Sequence, residues 1–338
     1  MHLVVTIDTE EDNWGQYSAD SFSIENIKKI PALQEMFDEF SVVPTYLVTY
    51  PVATNRESVE ILKDILQRGK CEIGMHCHPW STPPFDEERN SFNSMLCNLE
   101  PALQYEKMRA LHRIIYDMFG ETPISFRAGR WAYSKDVIHN LIKLGHRVDS
   151  SVFPLTDWSN HFGPDMSRYS SKPFAFETLC PVESATLAER SSKQLLELPV
   201  TVGFLQPCEM LCNHLYKMLE KRPLRVIPLR GIFRRLNILN KVYLTPELSD
   251  ARNMIRLAEV MIKRRDYSVL NMFFHSTSLK QGLSPFVKSE EDERLFWQRI
   301  KDFLQYSKER RIQPIKLKET ASLISDVSII KADMNEAK

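Results

Sequence analysis

The sequence has no surplus of charge: 44 Lys and Arg stand against 44 Asp and Glu in 338 residues. A neutral chain creates no global field that gathers nucleic acid or a bilayer, so any basic partner surface must be local. No apolar run reaches transmembrane length. The opening "MHLVVTIDTEED" has an apolar run too short for a signal peptide and passes straight into acids. The expected address is the cytoplasm. No repeat, low-complexity tract or dividing linker is visible. Six cysteines are present: Cys71, Cys77, Cys97, Cys180, Cys208 and Cys212. In a cytosolic chain of this size they read as reduced and mostly buried. Cys208 and Cys212 stand i, i+4 with only His214 nearby, too few donors for a zinc site.

What is present is an ordinary globular composition, 43% hydrophobic and 26% charged. β-prone runs alternate with helical ones. "HLVVTID", "VVPTYLVT", "CEIGMHC", "ISFRAG", "HRVDSS", "LLELPVTV" and "YSVLNMFFH" read as strands. Between them lie helical patterns, among them "PALQYEKMRALHRIIYDMFG", stopped by Gly120, and "SKDVIHNLIKLG", bounded by Ser134 and Gly145. "IQPIKLKE" reads as a last strand. The alternation predicts an α/β fold with a parallel sheet or barrel in one domain over residues 1–325, and a frayed tail at 326–338. In such architectures sites gather at the carboxyl ends of strands.

The suspicious residues fall at those ends. In "EIGMHCHPW", His76 and His78 stand i, i+2, so an extended strand aims both imidazoles at one point, a metal-ligand geometry. In "TIDTEED", Asp8 and Glu10 also share a face, so one carboxylate can bind a metal while the other accepts a proton. Glu10 with His76 and His78 makes a set of three ligands, the number that leaves a catalytic zinc an open position. "SFRAGRWAY" supplies Arg127, which would keep a neighbouring carboxylate ionised, and Trp131 and Tyr133, which could stack on a sugar ring. Asp149 in "HRVDSSVFP" is placed to orient a histidine. His275 in "LNMFFHSTSL" is a candidate general acid.

Taken together, "TIDTEED", "EIGMHCHPW", "RAGRW", "VDSS" and "FFHSTSL" resemble, in order, the five motifs of the polysaccharide deacetylase family, carbohydrate esterase family 4, with its NodB-homology domain. The wording "HCHPW…PPF", "FRAGRW" and "FHSTSL" is most similar to its WalW-like branch. The resemblance implies a distorted (β/α)7 barrel. It implies Asp8 as catalytic base, Glu10, His76 and His78 as ligands of one divalent metal, zinc first, and Arg127 as the residue that positions the base. It implies His275 as the acid and Asp149 as the residue that tunes it. Trp80, Trp131 and Tyr133 are the expected substrate contacts. Two positions depart from the common pattern. Thr9 replaces the usual second aspartate, which moves the ligand to Glu10. Trp80 stands four residues after His76, where the second histidine is common, which leaves that duty to His78.

The implied reaction is metal-dependent removal of an N-acetyl or other acyl group from an amino-sugar glycan or its precursor. Two rivals remain: hydrolysis of a non-sugar amide or ring C–N bond on the same fold, and a catalytically inactive glycan-binding protein. The segment 217–241 carries eight Lys or Arg and one acid, Glu220. It reads either as a solvated basic face or as a clamp for a phosphorylated or lipid-linked carbohydrate, or for a membrane surface. No nucleic-acid partner is expected.

Overall fold

A computed structural model describes residues 1–12, 14–17, 22–178, 193–220, 238–264 and 267–331. Most of the basic segment, 221–237, lies outside the described residues, as do Cys180 and 332–338. The period-2 pattern of the first run produces strand β1, His2–Thr9. Leu3, Val5 and Ile7 join the main core. Val4, Thr6 and Asp8 alternate with them and face the inside of a curled sheet.

The other strands are β2 (Thr45–Val48), β3 (Glu72–Cys77), β4 (Ser125–Ala128), β5 (Val148–Asp149), β6 (Phe174–Thr178), β7 (Lys193–Glu197), β8 (Val202–Phe204), β9 (Lys241–Tyr243), β10 (Val269–His275), β11 (Gln313–Pro314) and β12 (Ser328–Lys331). The main sheet runs β10-β1-β2-β3-β4-β5-β7-β6-β12, with β11 on β1 as its tenth strand. Its pairings are parallel except β6 with β7. The expected distorted barrel is therefore a curled, open half-barrel, with β10 and β12 at its two ends among the described residues.

Register assembles the site. Asp8 lies level with His275, His76 with Arg127, and Asp149 with Glu197. Along β10, Val269, Asn271, Phe273 and His275 share the inner face, while Phe274 packs outward on Phe296. The inner face is graded. An apolar plug of Val4, Leu47, Val148, Leu196, Val269, Leu317 and Ala321 fills one end. Thr6 and Asn271 bond to each other in the middle at 3.1 Å. Charged groups occupy the strand C-termini. Leu317 and Ala321 come from a 3₁₀ helix, Leu317–Asp326. Buried Glu72 ties that helix down by accepting from the Lys318 amide (2.9 Å), Thr45 and Ser125.

The helices are α1 (Ile30–Glu39), α2 (Tyr50–Thr54), α3 (Arg56–Gln67), α4 (Pro101–Phe119), α5 (Lys135–Leu144), α6 (Glu209–Glu220), α7 (Ala251–Lys263) and α8 (Glu290–Glu309). Their ends follow the local chemistry. Gly120 and Gly145 close α4 and α5 at φ of 77° and 86°, and the Ser134 hydroxyl accepts the Val137 amide at the start of α5. No described helix is long and apolar enough to cross a membrane.

Three expectations change. "LLELPVTV" is split into β7 and β8, because Pro199 lacks the amide a continuing ladder needs. "IQPIKLKE" is a strand for only two residues before the chain turns into the plug. The tail expected from 326 instead supplies β12, which pairs parallel with β6.

Ser289 and Asp292 cap each other's backbone at the start of α8. Ser289→Ala should lower unfolding free energy by about 1 kcal/mol, read by urea titration, and leave metal binding unchanged.

Candidate active site and metal centre

The site is built outward from Arg127, whose side chain is fully buried. Its Nη1 donates to Asp8 Oδ1 at 2.7 Å, and its Nη2 to Thr6 Oγ1 and Ser150 Oγ at 2.7 and 2.9 Å. Its Nε donates to the Ser150 carbonyl at 2.8 Å. Burial alone would push the Asp8 carboxyl up. The Arg127 guanidinium, with its hydrogen bond, and the charged His275 outweigh burial and hold it below the usual carboxylate range. Asp8 is an ionised carboxylate at the floor of the site.

Glu10, His76 and His78 come together beside it, their donor atoms all within 4.8 Å of one another. Glu10 Oε2 lies 3.4 Å from His78 Nε2 and 3.9 Å from His76 Nε2. Ligand bonds of about 2.0–2.2 Å at tetrahedral angles put donor atoms roughly 3.3–3.6 Å apart, so the set lies close to that spacing. Protonation also fits. Burial lowers the His76 pKa to about 3, which leaves it neutral. Its Nδ1 donates to the Arg127 carbonyl at 3.0 Å, so Nε2 presents the lone pair. Burial raises Glu10 to about 7, with His275 and His78 opposing the rise. A buried carboxyl of this kind is ionised most readily by a cation. Thr9, at the position of the missing aspartate, turns its hydroxyl to the Ile7 carbonyl at 2.9 Å.

His78 follows the end of β3 and is enclosed on several sides. Trp80 stacks on its ring at 4.2 Å. A Cβ on Gly129 would sit 2.1 Å from its Cδ2 and 2.8 Å from the Cys77 carbonyl. Glu11 Oε1 faces its otherwise unpartnered Nδ1 at 3.8 Å, an ion-pair distance rather than a hydrogen bond. The other Glu11 oxygen accepts from Thr49 at 2.8 Å. The turn beyond is nailed by fully buried Lys107, which donates to the carbonyls of Pro79 (3.0 Å) and Thr82 (2.8 Å) and pairs with Glu87 (2.8 Å).

His275 stands across from that set with its side chain 17% exposed, its Nε2 3.7 Å from Asp8 Oδ2. Its Nδ1 lies 3.1 Å from both oxygens of Glu247, which also accepts the His275 amide at 3.0 Å and the Ser278 hydroxyl at 2.6 Å. Burial opposes its charge, but Glu247, then Glu10 and Asp8, raise its pKa to about 10. The carboxylate on His275 is thus Glu247, and the role expected of Asp149 is corrected. Asp149 accepts from Ser151 at 2.5 Å and lies beside Glu197. Burial pushes both carboxyls up, Asp149 to about 6, so the pair retains a proton. Register explains the difference: β5 ends level with β7, on the far side of Arg127 from β10.

A cavity of about 330 Å³ opens over these groups. Trp80 and Trp131 line it, together with Trp14, Tyr17, Trp158 and Phe286. Tyr133 does not. It is buried against Tyr169 and Phe176, so it is a core residue rather than a substrate contact. Trp14, Tyr17, Trp158 and Glu247 lie in loops with no periodic pattern, and nothing in the sequence singled them out. Glu11 had a signal, the acidic run "TEED" beside a ligand.

No family model and no curated protein matches the sequence. Solved structures do match the fold. A protein described as a polysaccharide deacetylase from Mycobacterium smegmatis superposes with TM-score 0.54 at 13% identity, over 99% of this chain and 94% of its own. One described as a glycoside hydrolase/deacetylase from Parabacteroides distasonis gives 0.59 at 13%, over 96% and 71%. The fold is that of the polysaccharide deacetylases. Puue allantoinase shares it, with TM-score 0.51 at 11% identity over 95% and 89%. Identities this low establish the architecture alone.

Gly129→Ala should displace His78, because neither Cys77 backbone nor a ring stacked on Trp80 can give way by an ångström. Glu11→Gln removes the charge facing Nδ1 and should weaken metal binding ~10–100-fold. Calorimetric titration of the metal-stripped protein with Zn2+ measures both. Wild-type affinity in either variant would disprove this account of His78.

Proposed function

We propose that this protein is a metal-dependent hydrolase that removes an acyl group, N-acetyl first, from an amino-sugar-containing glycan or glycan precursor. The observation that carries the reading is the placement of an ionised carboxylate, Asp8, and a protonated imidazole, His275, beside a buried Glu–His–His set beneath an aromatic cavity. The resemblance to the WalW-like branch of the polysaccharide deacetylases supports it.

A divalent cation held by Glu10, His76 and His78 would polarise the acyl carbonyl and lower the pKa of a water beside it. Asp8, fixed by Arg127, accepts the proton of the attacking water as its oxygen bonds to the carbonyl carbon. His275 then gives its Nε2 proton to the nitrogen as the C–N bond breaks, so the amine leaves uncharged. Asp8 gains one proton and His275 loses one, and exchange with solvent resets both. Glu247 keeps the His275 ring oriented and charged until that transfer. Trp14, Tyr17, Trp80, Trp131 and Trp158 offer faces to the C–H surfaces of a sugar ring and exclude water. Cytoplasmic residence belongs to the same proposal and suits a biosynthetic precursor.

The second reading, cleavage of a non-sugar amide or ring C–N bond, draws on the architecture shared with an allantoinase. The same polar groups serve it, so the aromatic wall discriminates: Trp158→Ala should raise KM for an N-acetylated oligosaccharide and leave a small cyclic amide unaffected.

Asp8→Asn should retain the metal and lose ~10²–10⁴-fold in turnover, whereas His76→Ala should lose the metal itself. Elemental analysis beside a deacetylation assay separates the two. Full activity in Asp8→Asn would remove the base, and a metal-free wild type would leave the glycan-binding reading.

Glu247→Gln removes the leading cause of the raised His275 pKa, so burial should bring it down. An acid must hold its proton to work, so the basic limb of the rate profile should move to lower pH. Histidine NMR titration of metal-stripped protein should show the same direction: charged up to about pH 10 in the wild type, and lower in the variant.

A further inference from the structure

Helix α6 shows an apolar face to solvent that its own core does not use. Inward, Cys212 and Leu219 are buried and the Tyr216 ring meets Phe204 at 5.8 Å. Outward, Met210 is 89% exposed, Leu211 58%, and Leu215 and Met218 45% each. Leu211, Leu215 and Met218 stand i, i+4, i+7, so they form a continuous ridge. Such a ridge on a water-facing helix marks an interaction surface.

Cations border the ridge. A cleft of about 710 Å³ beside α6 is lined by Arg168, Lys172 and Lys217 among others. Its one carboxylate, Glu209, is already paired with Arg264 at 2.5 Å. Along the chain, α6 leads into the stretch 217–241 with its eight cationic residues and one acid, in a protein of net charge zero. Large aliphatic side chains beside concentrated positive charge suit the boundary of an anionic bilayer, where methyl groups enter the acyl region and cations meet phosphate. The ridge carries Met and Leu rather than aromatic rings, so it offers no stacking platform for single-stranded nucleic acid.

We infer that α6 docks this protein on an anionic lipid surface. The position gives the docking a use. Asn213 of α6 donates to the Ser167 carbonyl at 2.8 Å, and Leu155 lines the basic cleft. Phe153 and Trp158, on the same loop after β5, line the catalytic cavity. The loop is a wall shared by the basic cleft and the cavity that holds Asp8 and His275. The inference stands independently of the bond cleaved there.

The test is co-sedimentation of the full chain with vesicles of phosphatidylcholine alone, and of equal parts phosphatidylcholine and phosphatidylglycerol. The wild type should partition onto the anionic vesicles and stay off the zwitterionic ones, and added salt should weaken it. Leu211→Ser with Leu215→Ser should lower the partition coefficient by roughly tenfold or more per leucine withdrawn. Arg168→Glu with Lys172→Glu should lower it as added salt does. Zn2+ affinity, measured on the same samples, should stay at the wild-type value in all variants, which separates a failure here from a failure of the catalytic reading. If the leucine pair impairs folding, Met210→Ser takes its place at a position without packing. No partition, equal partition onto both vesicles, or partition unchanged by the variants would overturn the inference. So would a salt-stable dimer that the leucine substitutions dissociate, or binding to a single-stranded oligonucleotide without binding to lipid.

Discussion

The buried pair between Arg127 and Asp8 is the constraint on which the site depends. Taking both charges out of water is expensive, and their attraction offsets it only when the remaining donors are satisfied. Here they are, by Thr6, by the Ser150 hydroxyl and by the Ser150 carbonyl. Thr6 and Ser150 are themselves tied to Asn271 of β10. Removing one partner of such a pair costs roughly 3–5 kcal/mol, so fold and chemistry are joined at this point. Arg127 also fixes His76 through its carbonyl. One residue thus holds Asp8 with its side chain and His76 with its backbone, and the two cannot drift apart.

Around that pair, environments sort the titratable groups. Asp8 is pushed down by positive neighbours, while Glu10 is pushed up by burial and His275 by Glu247. Groups driven apart in this way acquire distinct roles: one holds charge, one awaits a cation, one carries a proton. The shifts of Asp8 and His275 have named neighbours, Arg127 and Glu247, and that of Glu10 comes from burial.

The legible part of the molecule was whatever repeats or is local. Alternation along β1, β3 and β10 predicted which side chains turn inward, and Asp8, His76 and His275 are where that period puts them. Caps such as Ser134 and Gly145 announce helix ends through short-range chemistry. The i, i+2 spacing of His76 and His78 survived the end of the strand because His78 continues in extended conformation. What could not be read depends on distant packing. Glu247 reaches His275 from 28 residues away in a loop without periodicity. Tyr133 and Trp131 are close neighbours in sequence, yet one is core and the other wall, because Arg130 and Trp131 adopt positive φ and break the alternation. The late β12 pairs with β6 from the end of the chain, a partner that no local pattern announces.

The spacing of the two histidines has a consequence for how this chain can diverge. When a second ligand stands four residues on, the turn after the strand must preserve the metal, and its freedom to vary is small. Here both histidines belong to β3 and its immediate end, and position 80 is a tryptophan of the cavity wall. Lys107 anchors that turn through carbonyl oxygens, which every side chain leaves unaltered. Substitution can therefore remodel the turn's side chains and the shape of the pocket while His76 and His78 stay in place, so the wall can change without moving the polar groups beneath it.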